Sequence, residues 1–328
     1  MPKPRSTAPG KAHREGISLV QLTEMFPTEE AATEWFESLV WPDVRGCGHC
    51  GSTKTREVPN KKPMPYWCSD CRSYFSVRTG TAISHSKIPL RKWAIAIYLE
   101  LTSLKGISSM KLHRDIDVSQ KAAWFMLHRI RESWAAPEAG KFSGPVEVDE
   151  TFVGGKEANK HESQRARARG GIPDKAPVVG VKDRGTGQVR AKAITDLEAE
   201  TLRGFVREHT EQGAQVYSDG HKAYTGLEGE FRHNAVQHSA GTYVIEQAHT
   251  NGIESFWAML KKSYQGTYHK ISPKHLDRYV RQFAGKHNLR NADTLAQMTN
   301  VVAGLVGKRL LYRDLIADNG LPSGARSS

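Results

Sequence analysis

The spacing of apolar residues changes along the chain and predicts helices first and strands later. Between residues 88 and 135 the apolar positions recur every three or four residues, which indicates helices. After residue 145 they alternate or form short runs, which is typical of strands. The predicted strands are 146–152, 177–182, 189–194, 215–218 and 235–237, and the predicted helices are 199–209, 251–264 and a helical stretch from 274. This order predicts a mixed α/β domain behind a helical one.

The N-terminal part of the chain carries two further patterns. Residues 17–41 are acidic and helix-like, and Thr28 stands where a helix N-cap would precede acids in the first turn. Residues 42–80 are rich in Cys, Gly, Pro and Lys. A segment with Gly, Pro and Ala, residues 136–144, is the predicted linker before the α/β domain.

Composition and charge narrow the class of protein. The chain has 328 residues, 38% of them hydrophobic, and a mean hydropathy of −0.55, which predicts a globular protein of more than one domain. Its net charge of +12 favours a polyanionic partner, and nucleic acid is the commonest. No apolar run reaches the roughly 18 residues of a membrane span, and no apolar segment of a secretory signal follows the basic N-terminus. We therefore expect a cytoplasmic, nucleoid-associated protein with no membrane partner.

Four cysteines form two equally spaced pairs that predict a zinc site. Cys47 and Cys50 form one C-x2-C pair, and Cys68 and Cys71 form the other. Each pair can supply two thiolates from one tight turn, and four thiolates complete the shell of a structural Zn²⁺. The aromatic residues expected to pack around the metal are Tyr66, Trp67, Tyr74 and Phe75. The pattern predicts a zinc ribbon, and four unrelated thiols are the alternative.

The region after the ribbon has the outline of a helix-turn-helix. Residues 106–116 predict a short helix, Ser119 ends the turn as an N-cap, and residues 120–134 predict a second helix. The second helix carries His128, Arg129 and Arg131. In helix-turn-helix proteins the second helix lies in the DNA major groove. An ordinary helical hairpin is the alternative, and the basic charge of the chain favours DNA binding.

Two acidic residues stand on predicted strands where they could hold a metal ion together. In the first predicted strand the alternation places Glu147, Asp149 and Thr151 on one face and the valines on the other. Asp219 follows the fourth predicted strand, and acids at neighbouring strand ends can hold one ion. Either acid alone is more often an ordinary surface or turn residue, so the prediction depends on a third group.

The predicted helix at 251–264 supplies that third group. At about 100° per residue, Asn251, Glu254 and Lys261 fall within an arc of roughly 80°. The apolar residues expected on the opposite side are Ile253, Phe256, Trp257, Leu260 and Tyr264. With that apolar side docked on the sheet, Glu254 could complete a metal site with the two strand acids, and Lys261 could hold a phosphate. A solvated polar face is the alternative.

At these residues the chain resembles the DDE transposases of bacterial insertion sequences. It is most similar to the group with an N-terminal zinc ribbon and a ribonuclease-H-like catalytic domain. The resemblance runs from about Phe26 to Arg290, with several distant blocks in the same order. The blocks are RGCGHCG, YWCSDCRSYFSVRTGT, VDETFVGGKE, VYSDGHKAY, HTNGIESFWAMLKK and GTYHKISPKHLDRYV.

The resemblance implies a transposase that binds terminal inverted repeats and catalyses DNA cleavage and strand transfer. It makes Asp149 and Asp219 the first two catalytic acids. At the third catalytic position this group often has an asparagine, followed downstream by a lysine, and these match Asn251 and Lys261. Other DDE enzymes have a glutamate as the third acid, at the spacing of Glu254. Glu254 is the expected third ligand because a carboxylate binds Mg²⁺ better than an amide does.

The resemblance also implies the cofactors and the partners. The expected cofactors are two Mg²⁺ (or Mn²⁺) ions in the catalytic site and the structural Zn²⁺. The expected partner is double-stranded DNA, both transposon ends and target, bound by a homo-oligomer, and no small-molecule substrate is expected. The other interpretations are a DNA-binding regulator with a zinc ribbon and a helix-turn-helix, and a non-transposing nuclease of the same fold.

These patterns together predict five segments and one basic loop. The segments are an N-terminal arm and helix (1–41), the zinc ribbon (42–80), a helical DNA-binding domain (81–140), a ribonuclease-H-like catalytic domain (141–290) and a C-terminal helical tail (291–328). Residues 156–175 are basic and polar and predict a loop beside Asp149 that could contact phosphates.

Overall fold

The chain forms two compact units in the part that the structure describes. The computed structural model describes residues 15–135, 140–154, 162, 175–236 and 249–321. The first unit extends to Leu104 and adds Ser109–Ser133 and Leu289–Leu315, and the second contains Lys105–Ser108, Trp134–Asn288 and the chain from Ile316. Parts of five predicted features lie outside the described residues: the first 14 residues, nearly all of the basic loop, residues 136–139 of the linker, residue 237 of the last predicted strand, and residues 322–328 of the C-terminal tail.

Short helices and a small sheet make up the N-terminal part of the first unit. The elements are α1 (Leu19–Met25), α2 (Glu29–Val40), β1 (Thr55–Glu57), β2 (Tyr66–Cys68), β3 (Ser73–Phe75), α3 (Leu90–Thr102), α4 (Ser109–Asp115) and α5 (Gln120–Glu132). Thr28 caps α2 and Ser119 caps α5, as predicted. Each side-chain oxygen accepts a hydrogen bond from a backbone N–H of the first turn, at 3.3 and 3.2 Å.

The second unit is built on a five-stranded sheet. Its elements are β4 (Val146–Val153), β5 (Ala176–Asp183), β6 (Val189–Ala193), α6 (Ala199–His209), β7 (Gln215–Asp219), β8 (Arg232–Val236), α7 (Asn251–Ser263) and α8 (Pro273–Asn288). Then follow α9 (Thr294–Leu305), which packs against α2, α3 and α5 in the first unit, and α10 (Tyr312–Ile316). None of the helices in the described part of the chain is long and apolar enough to cross a membrane.

The strand order of this sheet is β6-β5-β4-β7-β8. β5 pairs antiparallel with both β4 and β6, whereas β7 pairs parallel with both β4 and β8. β5 and β6 form the predicted hairpin, and Asp183 Oδ1 accepts hydrogen bonds from the Thr186 N–H and hydroxyl in its turn, at 2.6 and 2.7 Å. The arrangement confirms the predicted fold class, a ribonuclease-H-like mixed sheet with flanking helices behind a ribbon and a helical region.

Each face of the sheet is covered by a helix with a matching apolar side. Val148 and Val181 pack on one face with Leu202 and Val206 of α6. The other face buries the apolar residues that the helical spacing predicted, and these are Ile253, Phe256, Trp257, Leu260 and Tyr264. The apolar side of α7 is therefore docked on the sheet, with residues of α8 completing the same cluster.

Most predicted elements begin and end within two residues of their observed bounds, whereas α4 and β8 each begin three residues away from the predicted start. β8 begins at Arg232, three residues before the predicted strand 235–237. Its first residues are polar, and they pair with β7 through their backbones. Apolar alternation does not detect such an edge strand. α7 ends at Ser263 rather than Tyr264, and a π-helical turn, Tyr264–Tyr268, continues it.

The second half of α5 is buried, which the sequence pattern did not indicate. The side chains of His128, Arg129 and Arg131 are all buried. Burial lowers the pKa of Arg129, whose guanidinium carbon lies 4.2 Å from the ring centroid of Phe125. These three basic residues therefore do not line a DNA-facing surface. The exposed residues of the first turn are Gln120 and Lys121.

Candidate functional site

The four cysteines converge on one point of the ribbon. Their Sγ atoms all lie within 4.8 Å of one another, with Cys47 3.6 Å from Cys71 and Cys50 3.7 Å from Cys68. None of the four is part of a disulfide. Four thiols at this separation match the ligand set of a tetrahedral structural Zn²⁺, so the cluster fits the predicted zinc site. We call these four residues the cysteine cluster.

The backbone around the cysteine cluster favours one thiolate. The N–H groups of Cys71 and then Asp70 lower the pKa of the Cys68 thiol to about 7. Burial raises the pKa of Cys47 and of Cys71. Since only thiolates bind a metal, zinc binding would release protons from the thiols that burial keeps neutral.

The aromatic residues of the ribbon divide between its two faces. Tyr66 and Phe75 are buried together with Cys47 and Cys68, as predicted. Trp67 and Tyr74 pack edge to face against each other, with 4.6 Å between ring centroids, and Tyr74 is 39% exposed. The prediction that all four surround the metal is wrong for this second pair because neighbouring residues of a strand point to opposite faces.

Asp149 and Asp219 lie on adjacent parallel strands at equivalent heights. β4 and β7 pair Glu147 with Tyr217 and Val148 with Ser218. The two aspartates follow at the next position of each strand, and both are partly buried. The sequence predicted Asp149 on a strand and Asp219 directly after one, and the parallel register of β4 and β7 is what sets the two acids beside each other within the sheet.

Helix α7 passes close to Asp149. Gly180 is the register partner of Asp149 in β5, and a Cβ at Gly180 would lie 2.7 Å from the Trp257 ring and 3.2 Å from Ile253 Cδ1. The helix can pack here only because position 180 has no side chain. Glu254 follows Ile253 and is exposed, so it lies next to this contact on the solvent side of the helix.

Burial and the charges of its acidic neighbours act on the carboxyl group of Asp149. Burial, then the negative charge of Glu150, then that of Asp219, and also that of Glu254, raise the pKa of Asp149 from 3.8 to about 7. Four carboxyl groups from two strands and a helix therefore share one electrostatic environment. We call Asp149, Glu150, Asp219 and Glu254 the acid cluster.

The acid cluster is looser than the cysteine cluster. Among the described residues, only the cysteine cluster brings three or more potential metal ligands within 4.8 Å of one another. The Glu254 carboxylate accepts a hydrogen bond from the Thr250 hydroxyl at 2.7 Å, and Asp219 accepts one from the His221 N–H at 3.1 Å. Asp219 and Glu254 are thus each held by a neighbour in their own segment of the chain.

Asn251 and Lys261 occupy the exposed side of α7, as the helical arc predicted. Asn251 is the first residue of the helix, and Lys261 lies in its last turn. Glu254 is the member of this face whose charge raises the pKa of Asp149.

Glu150 belongs to the acid cluster but was not assigned a role from the sequence. Its Oε2 accepts a hydrogen bond from the Tyr224 hydroxyl at 2.8 Å, and its Oε1 lies 3.9 Å from His221 Nδ1. Burial is the largest cause that raises its pKa, and the charge of Asp219 adds to it. Both partners, His221 and Tyr224, belong to the VYSDGHKAY block of the resemblance. The sequence therefore marked these two residues, but their spacing does not indicate that they contact Glu150.

Glu147 is a second residue whose contacts the sequence did not indicate. Its side chain is 2% exposed, and its Oε1 accepts a hydrogen bond from Arg184 Nε at 2.8 Å. Its Oε2 accepts one from the backbone N–H of Ile253 at 2.9 Å. A buried acid must have such partners. The presence of an acidic residue inside a predicted core strand was therefore the sequence signal that Glu147 has partners elsewhere in the fold.

Two comparisons with known proteins agree with this geometry. The family model of the ISXO2-like transposase domain matches residues 141–288. A protein of Halobacterium salinarum, described as an uncharacterized protein in transposable element ISH50, is 30% identical over 272 residues, 79% of this chain and 90% of that protein. The chain belongs to the DDE transposases of insertion sequences.

The transposase domain coincides with the sheet and its helices. The matched residues run from just before β4 to the end of α8, so they include the whole acid cluster. Membership of the family makes the chain a transposition enzyme that uses divalent metal and acts on DNA.

Proposed function

We propose that this transposase binds the terminal inverted repeats of its insertion sequence and catalyses metal-dependent cleavage and strand transfer at the acid cluster. The observation that carries the proposal is the parallel register that sets Asp149 beside Asp219, together with the negative charge of Glu254 that acts on the Asp149 carboxyl. Structural ion pairs also perturb pKa values, but here the perturbing charges all have the same sign. Like charges gathered in a partly buried region favour the binding of cations.

Asp149, Asp219 and Glu254 are the proposed ligands of Mg²⁺ or Mn²⁺. Oxygen donors are what these hard cations prefer, and two ions are the expected number. When bound, such ions activate the attacking hydroxyl and stabilise the leaving oxygen in phosphodiester chemistry. Glu254 is the proposed third ligand ahead of Asn251 because a carboxylate binds Mg²⁺ better than an amide does, and its charge already acts on Asp149.

The other residues of α7 have supporting roles in this proposal. Lys261 lies on the same exposed side as Glu254, and its ammonium group would hold a phosphate of the DNA strand. Asn251, at the start of the helix, would orient the same strand through its amide. The apolar side of α7, docked on the sheet, keeps both groups in place.

DNA ends would be held by the first unit. The first turn of α5 exposes Gln120 and Lys121, and α4 exposes Lys111 and Arg114. In helix-turn-helix proteins the N-terminal residues of the second helix contact the DNA. We assign a base contact to the amide of Gln120 and a phosphate contact to the ammonium group of Lys121. Joining two ends requires two active sites, so we expect a homo-oligomer on the DNA.

A strand-transfer assay tests the proposal. Purified full-length protein, Mg²⁺, a supercoiled target and DNA that ends in the terminal repeats of the element would be combined, with DNA of scrambled ends as control. We expect joined products with the matched ends only. Cleavage without joining would identify a nuclease, and binding without cleavage would identify a regulator; either result would overturn the proposal.

A further inference from the structure

The N-terminus of α7 is held by side chains from the sheet rather than by its own cap. Its N-cap residue, Thr250, makes no side-chain capping bond. Instead, Glu147 of β4 accepts the hydrogen bond from the N–H of Ile253, and Lys182 of β5 donates from Nζ to the Gly252 carbonyl at 3.0 Å. A carboxylate at this position also interacts favourably with the positive end of the helix dipole.

A second cation completes this arrangement from the end of β5. Arg184 donates to Glu147 Oε1 and also to the backbone carbonyl of His249, just before the helix. Its guanidinium carbon lies 4.1 Å from the ring centroid of Tyr217, the register partner of Glu147 in β7. Glu147, Lys182, Arg184 and Gly252 together form what we call the anchor network.

The anchor network connects the two halves of the acid cluster. Glu147 is two residues before Asp149 on the same face of β4, and the N–H that it binds belongs to the residue before Glu254. One side chain therefore fixes the separation between the strand that carries Asp149 and the helix turn that carries Glu254. We propose that the anchor network positions Glu254 relative to Asp149 and thereby sets the affinity of the acid cluster for divalent metal. This inference rests on the proposed function.

The buried charges of the network favour a positioning role over a stabilising one. The side chains of Glu147 and Arg184 are 2% and 18% exposed. Burial of such a pair costs desolvation energy, and apolar replacements of buried ion pairs are often as stable or more stable. What the pair supplies and apolar residues cannot supply is a directed connection to the backbone of α7.

Gly252 is the residue at which this connection is tightest. A Cβ at this position would lie 2.6 Å from Glu147 Oε2 and 3.0 Å from Lys182 Nζ. Any larger residue would displace the first turn of α7 or the two anchoring side chains. A Gly252→Ala substitution therefore perturbs the network without altering any proposed ligand.

The test is Mn²⁺ binding to the full-length, zinc-loaded protein, measured by calorimetry and by electron paramagnetic resonance. Gly252→Ala is compared with Gly204→Ala, a glycine inside α6 whose added Cβ would meet nothing within 4 Å. Loss of groups that orient metal ligands typically weakens affinity by about 10–100-fold. We expect about a tenfold weaker affinity in Gly252→Ala, a smaller loss in Glu147→Gln, which keeps an acceptor for Ile253, and none in Gly204→Ala.

Thermal unfolding of the same variants separates positioning from a purely structural role. A lower Tm with wild-type Mn²⁺ affinity in both Gly252→Ala and Glu147→Gln would overturn the inference. Asp149→Ala tests the proposed function separately, since it should abolish Mn²⁺ binding. If Asp149→Ala keeps wild-type affinity, the proposed metal site fails; if it loses binding while both network variants keep theirs, only the anchor network fails.

Discussion

By our account the cysteine cluster binds a structural metal ion and the acid cluster binds catalytic ones. The two clusters are built differently. The cysteines come from two turns of one small ribbon, and their Sγ atoms converge within 4.8 Å. The acids come from two strands and a helix and remain farther apart, with Glu254 exposed. A closed set of four ligands suits a structural ion, whereas a catalytic ion needs open positions for substrate.

The two clusters also differ in what holds them before metal binds. Around the cysteine cluster, Tyr66 and Phe75 form a small apolar core, and the metal adds most of the stability of such a domain. The acid cluster stands on a large sheet with an apolar cluster on each face. Removal of one cysteine should therefore unfold its surroundings, and removal of one acid should not.

The largest effect is expected from Cys68→Ser. Structural zinc contributes about 10–16 kcal/mol in zinc-finger peptides, so the ribbon should unfold and lose its metal while the second unit stays folded. Zinc content by mass spectrometry and limited proteolysis measure this outcome. His49→Ala is the matched control and should keep its zinc, because His49 Nε2 lies 3.2 Å from the Tyr74 carbonyl oxygen. Unchanged zinc in Cys68→Ser would contradict the ribbon.

The zinc site could be predicted more fully than the acid cluster, and the reason is physical. Two C-x2-C pairs need only local turns to form a site, so their spacing alone indicates the ligands. Asp149 and Asp219 converge only through the parallel pairing of β4 and β7. The predicted strands indicated only that the two acids could share an ion, and their catalytic role came from the resemblance, while the helical spacing placed Glu254 on the exposed side of α7.

Side-chain contacts between elements that are distant in the chain could not be predicted from the sequence. Nothing local indicates that Glu147 reaches the backbone of Ile253 or that Glu150 faces Tyr224. The burial of Arg131 in α5 was equally hidden, since a charged residue on a short helix is normally exposed. Each depends on which elements pack together, and that is decided by the whole fold.

The next largest effect is expected in the comparison of Glu254→Ala with Asn251→Ala. Loss of a carboxylate ligand should cost several kcal/mol of transition-state stabilisation, or roughly 10²–10³-fold in the cleavage rate. Loss of the amide at Asn251 should cost about tenfold or less, because a neutral group contributes a weaker interaction. Single-turnover cleavage at saturating Mg²⁺ measures both rates. A larger loss in Asn251→Ala would make Asn251 the third ligand.

A smaller effect on stability is expected from Asp149→Asn. The pKa of Asp149 is about 7 in the folded chain, whereas an ordinary aspartate has a pKa of 3.8, so between these values the folded state holds a proton that the unfolded chain releases. The stability from this group is complete below about pH 4 and is lost as the pH rises through 7.

Thermal unfolding without divalent metal measures this dependence. Above pH 7, Asp149→Asn should be more stable than the wild type by on the order of a few kcal/mol, since one pKa unit is worth about 1.4 kcal/mol. Below pH 4 the two should be equal. Mg²⁺ at pH 8 should raise the Tm of the wild type and not that of the variant. An equal Mg²⁺ response in both would contradict the placement of a metal at Asp149.

The smallest effect is expected from Lys121→Ala in the first turn of α5. Loss of one phosphate contact should reduce the slope of log affinity against log salt by about one, with little change in sequence preference. Fluorescence anisotropy with terminal-repeat DNA at several salt concentrations measures this slope. Lys308→Ala, outside the proposed helix-turn-helix, is the control, and an unchanged slope in Lys121→Ala would argue against DNA contact by this turn.

The central claim is that Asp149 and Asp219 carry out the DNA chemistry while other residues bind the DNA. Asp149→Asn and Asp219→Asn proteins would be assayed with Mg²⁺ on terminal-repeat DNA, with end binding measured in the same samples. We predict a loss of roughly 10³-fold or more in cleavage, since metal ligation contributes several kcal/mol, and unchanged end binding. Wild-type cleavage by either variant would contradict the claim.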